Sequence, residues 1–192
     1  MKSRVEIEGL SNEDVNSLLT MRNYKYHCDT VKQLLKGECP FCKLDREKNQ
    51  VIFESSMWIA FKVPVQYRAK HLQEHVLIIP VRHVTHIREL NIEEWTDFAS
   101  AIYIVDSLVD LPGGGFIMRF GDPAKNAGSV RHLHGNIIVP DGTGEYRTPL
   151  AKDPAEDEKK WLIMAVYEKM RAGGIPFDKL EPHEQELVKD RM

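Results

Sequence analysis

The chain has 192 residues, 42% hydrophobic and 29% charged, with a net charge of −3. This suits a globular protein with one sizeable core and argues against a general nucleic-acid binder, which would be basic. No apolar run approaches the roughly 20 residues of a membrane span, and the charged start MKSRVEIEG is unlike a signal peptide. With three cysteines, one close pair and one odd, a reducing compartment fits better than a disulfide scaffold, so the protein is expected to be cytoplasmic.

Residues 1–37 read as a helical N-terminal extension. Ser11 or Asn12 caps a helix carrying Val15, Leu18, Leu19 and Met21, and a second helix is expected around Thr30–Lys36, stopped by Gly37. Cys28 falls ahead of it as a small helix residue without a partner. CPFC at 39–42 marks a tight knuckle and opens a core region, 38–150. Val51–Glu54 and Trp58–Val63 are β-rich, joined by a turn at Glu54-Ser55-Ser56; HVLIIP, His75–Pro80, is a short apolar run that suits a central strand.

Asn91 with Glu94 three residues on predicts a capped helix start. Ile92, Trp95, Phe98, Ala99, Ile102, Val105 and Val109 then recur at helical spacing to about Asp110. The glycines 113–115 lack a following Gly-Lys-Ser/Thr and read as a turn rather than a phosphate loop. GFIMRF (115–120) and HLHGNIIV (132–139) supply two more strands. A C-terminal extension, 151–192, holds a helix from about Pro154 to Ala172 with Asp153 as cap and Gly173-Gly174 at its end, then a charged surface helix. Five strands around one long helix predict an α+β domain with a mostly antiparallel sheet.

Two motifs carry chemistry. A Cys-x-x-Cys pair can share a tetrahedral metal ion that needs two more nitrogen or sulfur ligands. Six of the eight histidines form two groups, His71, His75, His83 and His86 around one strand, and His132 and His134 in another. One from each would complete a Cys2His2 zinc site. Free thiols, or a redox pair, remain open alternatives, although a redox motif normally opens a helix and here the charged loop KLDREKNQ follows. In HLHGN, side chains alternate faces, so His132, His134 and Asn136 line one side of a strand. Such a polar row costs stability unless its members are partnered or used. A neutral imidazole can attack phosphorus, the neighbours can hold phosphate oxygens, and Arg119, Lys125 and Arg131 can offset charge. Gly135 would let another backbone approach closely. Plain metal ligands or satisfied core histidines are the alternative.

From Cys39 to Pro140 the sequence resembles the histidine triad (HIT) superfamily of nucleotide hydrolases and transferases. CPFC, WIAF, HVLIIPVRHV and GSVRHLHGNI stand in that family's order. The resemblance implies a HIT-like fold, His134 as nucleophile, and a structural zinc on Cys39, Cys42, His83 and His132. It also implies a site role for His75, phosphate contact by Ser129, and a homodimer. His71 and His86 gain no role. Asn126 and Gly128 fall in the substrate-binding stretch, with Arg119 and Lys125 nearby.

Departures accompany the likeness. The third signature position is Asn136, and HxHGN leans toward the galactose-1-phosphate uridylyltransferase and dinucleoside polyphosphate phosphorylase branches. Gly128 replaces a glutamine, and Lys62-Val63 stand where an acidic ribose contact is usual. Gly121-Asp122 replace an asparagine. The expected function is hydrolysis or transfer of a nucleotidyl group from a nucleoside phosphate or dinucleoside polyphosphate through a nucleotidyl-His134 intermediate. The alternatives are a uridylyltransferase-like enzyme or a zinc-stabilised nucleotide-binding module without turnover.

Overall fold

The computed structural model describes residues 5–21, 23–148, 150 and 154–192. In chain order the elements are α1 (Asn12–Leu18), α2 (Tyr24–Leu35), β1 (Gln50–Glu54), β2 (Trp58–Lys62), β3 (Leu72–Pro80), α3 (Ile92–Val109), β4 (Gly115–Arg119), α4 (Pro123–Asn126), β5 (His134–Pro140), α5 (Pro154–Arg171) and α6 (Pro182–Val188). They divide into two compact units. One is Met1–Pro40, Asp122–Val130 and Leu150–Met192; the other is Phe41–Gly121 and Arg131–Pro149.

The second unit is built on a five-stranded sheet in the order β1-β2-β3-β5-β4, antiparallel at every pairing. The class is therefore α+β, as the sequence predicts. Because successive side chains alternate faces, the register sorts the residues into two layers. Ala60, Val76, Ile78, Ile137 and Val139 face α3 and bury against Phe98, Ala101 and Val105. On the opposite face the ladder aligns Phe61, Leu77, Asn136 and Ile117 in one row across four strands. The polar residues of the candidate site share that face with the apolar cluster of Ile59, Phe61 and Ile79.

Local chemistry fixes the elements. Asn91 accepts from the Glu94 backbone N–H while the Glu94 carboxylate accepts from that of Asn91, so the capping box forms with asparagine in the leading position. The helix closes at Asp110, which takes the left-handed conformation, φ 51°. At the β1–β2 turn the Ser55 hydroxyl accepts from the backbone N–H groups of Met57 and Trp58. The buried Trp58 then donates its indole N–H to the Glu94 carbonyl, 2.8 Å. Two glycines permit close packing: Gly114 lies against the Ile138 carbonyl, and a Cβ on Gly135 would stand 2.6 Å from the Phe116 ring. What approaches Gly135 is thus an aromatic side chain rather than a backbone.

In the first unit Ser11 caps α1 and Asn23 caps α2, so the second helix starts six residues before the expected Thr30. Val15, Leu18, Leu19, Met21 and Val31 pack with Met164. Ile163, Val166, Tyr167 and Met170 of α5 pack with Leu180 and Val188, so the last segment contributes a fully buried valine as well as a surface. Cys28 is not without a partner: its thiol is hydrogen-bonded to Tyr24, and burial raises its pKa. The expected cap Asp153 lies outside the described residues. The short α4 has no counterpart in the sequence reading, where GDPAKNAG offered only turn residues. Among the described residues no helix is long and apolar enough to cross a membrane.

Candidate active site and metal centre

The knuckle, the turn after β3 and the residues leading into β5 converge. Cys39, Cys42, His83 and His132 bring one ligand atom each to within 4.8 Å of one another. Cys42 Sγ lies 3.3 Å from His83 Nδ1 and 3.6 Å from His132 Nδ1. A tetrahedral zinc with S and N ligands at about 2.3 and 2.0 Å sets neighbouring ligands roughly 3.5 Å apart, so the spacing fits. The proton position fits as well. His132 Nε2 donates to the Pro80 carbonyl at 3.0 Å, which leaves Nδ1 as the lone-pair atom facing the thiol. Burial, the largest influence on His132, lowers its pKa to about 4 and favours the neutral, ligating form.

His132 does not belong to the strand as expected. The ladder ends at the Arg119–His134 and Ile78–Gly135 pairs, and one residue earlier the chain turns so that the His132 ring meets Cys42 and His83. The polar row on β5 is therefore His134 and Asn136, joined by His75 from β3. All three are buried, keeping 6%, 6% and 7% of their surface.

The hydrogen bonds assign the protons. His134 Nδ1 lies 2.7 Å from the His132 carbonyl, which can only accept, so Nδ1 carries the proton and Nε2 the lone pair. Burial, the largest influence, lowers the His134 pKa to about 4, so the ring is neutral near pH 7. Asn136 Nδ2 donates to the Ile117 carbonyl at 3.2 Å, which turns Oδ1 toward His75 Nε2 at 3.1 Å. The amide thus fixes the His75 tautomer with its proton on Nε2. Its carbonyl and one N–H are engaged by the protein, a tighter role than holding phosphate oxygens alone.

The remaining predicted residues divide between the units. Arg119 lies on β4 opposite His134. Asn126, Gly128, Lys125 and Ser129 belong to the first unit, where Asn126 accepts from the Gly128 backbone N–H at 2.6 Å. His86 caps a short 3-10 turn, and exposed His71 sits 2.9 Å from the Thr143 hydroxyl, so neither joins the site. The sequence reading missed Phe41, whose ring stands edge-on to both His132 and His134, 5.7 and 5.5 Å between centroids. Its position inside CPFC was the available signal. It missed the Pro80 carbonyl as well, which no side-chain pattern reveals.

No protein-family model matches the sequence, and no curated protein matches it. Solved structures do. The chain is similar to histidine triad proteins. A HIT family hydrolase from Clostridium thermocellum is 24% identical over 57% of this chain and 96% of its own, with a TM-score of 0.46. A HIT family member from Bacillus subtilis is 21% identical over 79% and 92%, TM-score 0.46. A histidine triad nucleotide-binding protein from Candida albicans is 20% identical over 71% and 96%, TM-score 0.45.

Proposed function

We propose that this protein is a histidine triad-type enzyme that moves a nucleotidyl group by way of His134. Nε2 attacks the α-phosphorus of a nucleoside phosphate or dinucleoside polyphosphate, and the bond from phosphorus to the leaving phosphate oxygen breaks. Water, phosphate or a sugar phosphate then takes the group and restores the neutral imidazole; the sugar phosphate case is the uridylyltransferase-like variant. The observation that carries the reading is the His134 Nδ1 bond to the His132 carbonyl, which leaves Nε2 with the lone pair that a nucleophile needs. His75, oriented by Asn136, is the neighbouring group suited to exchanging a proton with the acceptor. Ser129, Gly128, Asn126 and Lys125 are proposed to bind the substrate.

The metal is proposed to be a structural zinc held by Cys39, Cys42, His83 and His132. When bound it supplies a rigid anchor and no chemistry at phosphorus. Its connection to the reaction runs through His132, whose ring faces the thiols while its carbonyl orients His134. A cytoplasmic setting keeps both thiols reduced. A homodimer is proposed through α3 and β4. The sheet ends at β4, and Tyr103, Leu108 and Phe116 are exposed there.

One observation favours a second reading, a nucleotide-binding module without turnover: His134 keeps only 6% of its surface exposed. Incubation with a labelled dinucleoside polyphosphate and a quench in base separates the two. Acid-labile label on the wild type, lost in His134→Ala, supports the enzyme. Measurable binding with no label from any nucleotide supports the module.

A further inference from the structure

The proposed substrate brings negative charge to the sheet face that carries His134 and Asn136. A cation shares that face. β4 ends at Arg119, whose partner across the ladder is His134. Paired residues of antiparallel strands point to the same face, with Cβ atoms about 5 Å apart, so the guanidinium rises beside the nucleophile's ring. It is also held from elsewhere in the chain. Arg119 Nη2 donates to Thr148 Oγ1 at 2.7 Å, and Thr148 follows β5 by eight residues.

We infer that Arg119 is the phosphate-binding cation of this site and that Thr148 positions it. The inference rests on the nucleotidyl reading above and extends it to the leaving group. A guanidinium presents planar, parallel N–H donors that match two oxygens of one phosphate, and fixing its plane beforehand removes ordering cost from the reaction step. A hydroxyl on one Nη nitrogen supplies that fixing. Charge growing on the transferred phosphoryl group is met by Arg119, while the departing phosphate or polyphosphate is a weak base that leaves without a proton. Phosphate leaving groups therefore need only the charge that Arg119 supplies, whereas alcohols or amines would also need a proton.

Two measurements test this on the full chain. The first is the single-turnover rate of label transfer to His134 from a dinucleoside polyphosphate. Arg119→Met lowers it about 100-fold or more, and Arg119→Lys, which keeps the stem and the charge, recovers about tenfold. Thr148→Val lowers it about fivefold with little change in KM, and has no further effect when added to Arg119→Met, because a positioning residue has nothing left to position. The second is the affinity ratio of AMP to adenosine and of UMP to uridine. The wild type prefers the monophosphate of at least one pair, and in Arg119→Met that preference falls about tenfold.

Wild-type label transfer in Arg119→Met with the monophosphate preference intact overturns the assignment and leaves the nucleotidyl reading standing. A wild type that prefers a monophosphate without being labelled removes turnover, and the Arg119→Met ratio then decides the cation by itself. A wild type with neither label nor preference overturns both. An equal loss from Thr148→Val in both backgrounds removes the positioning role.

Discussion

Each unit of this protein buries histidine, and the partners differ in kind. In the first unit His27 is fully buried with Nε2 2.6 Å from the Glu168 carboxylate, which also accepts from both Nε and Nη2 of Arg171. In the second, His132 and His134 donate to the carbonyls of Pro80 and His132. A carboxylate brings a charge that its donors must answer. A carbonyl brings none and only dictates which ring nitrogen keeps its proton. The first arrangement is a strut joining α2 to α5; the second leaves a lone pair available for a metal or for phosphorus. The residue type alone therefore does not mark a site. The oxygen that faces it does.

The largest effect that sharpens this contrast is on the metal. Structural zinc in small peptides contributes about 10 kcal/mol or more, so removing it from a folded domain should cost on the order of 5 kcal/mol. Elemental analysis should give one zinc per chain, and Cys42→Ser or His83→Ala should melt well below the wild type. A metal-free preparation with an unchanged melting temperature would break the reading of His132 as a ligand. Next is His134→Ala, which should reduce label transfer at least about 1,000-fold with little change in melting temperature. Retained label in that variant would move the nucleophile elsewhere.

The first unit should respond in the opposite sense. Glu168→Gln leaves label transfer intact and lowers stability by about 3 kcal/mol, because it breaks a buried pair. The pH dependence follows. Burial raises the Glu168 pKa, but hydrogen bonds from Arg171 and His27 outweigh it and hold it at about 2, below the usual 4.5. The unfolded chain thus binds this proton first, so the contribution is full above about pH 4.5 and is lost as pH falls toward about 2. Denaturant titrations should show this loss, roughly 3 kcal/mol, in the wild type and not in Glu168→Gln. Identical acid profiles would show that the strut contributes nothing. The smallest effect is Asn136→Ala, about tenfold in label transfer, since it frees the His75 ring without removing it.

Much of this was legible in the sequence, for identifiable reasons. Strands and the long helix follow from period and from the Asn91–Glu94 cap, both local. The four side chains of the candidate metal site come from three separate segments; ligand type and grouping made a Cys2His2 set one reading, and the histidine triad resemblance singled out these four. The exit of His132 from the strand was hidden, because alternation predicts a continuing strand and no local pattern marks where the ladder stops. Thr148 was equally hidden. A hydroxyl in YRTPL carries no signal until the chain folds back to Arg119. His27 and Glu168, 141 residues apart, carry no pairing signal in the sequence until their helices pack.

Gly135 gives the molecule one more property. Its missing side chain is the seat of the Phe116 ring, with Phe98 of α3 also nearby, and it lies between His134 and Asn136 in the chain. His134 and Asn136 thus ride on a ribbon whose underside is shimmed by aromatic carbon. Trimming Phe98, which touches no phosphate, would let that ribbon settle and re-aim the imidazole. The aim of His134 is open to selection from beneath the sheet as well as from above it.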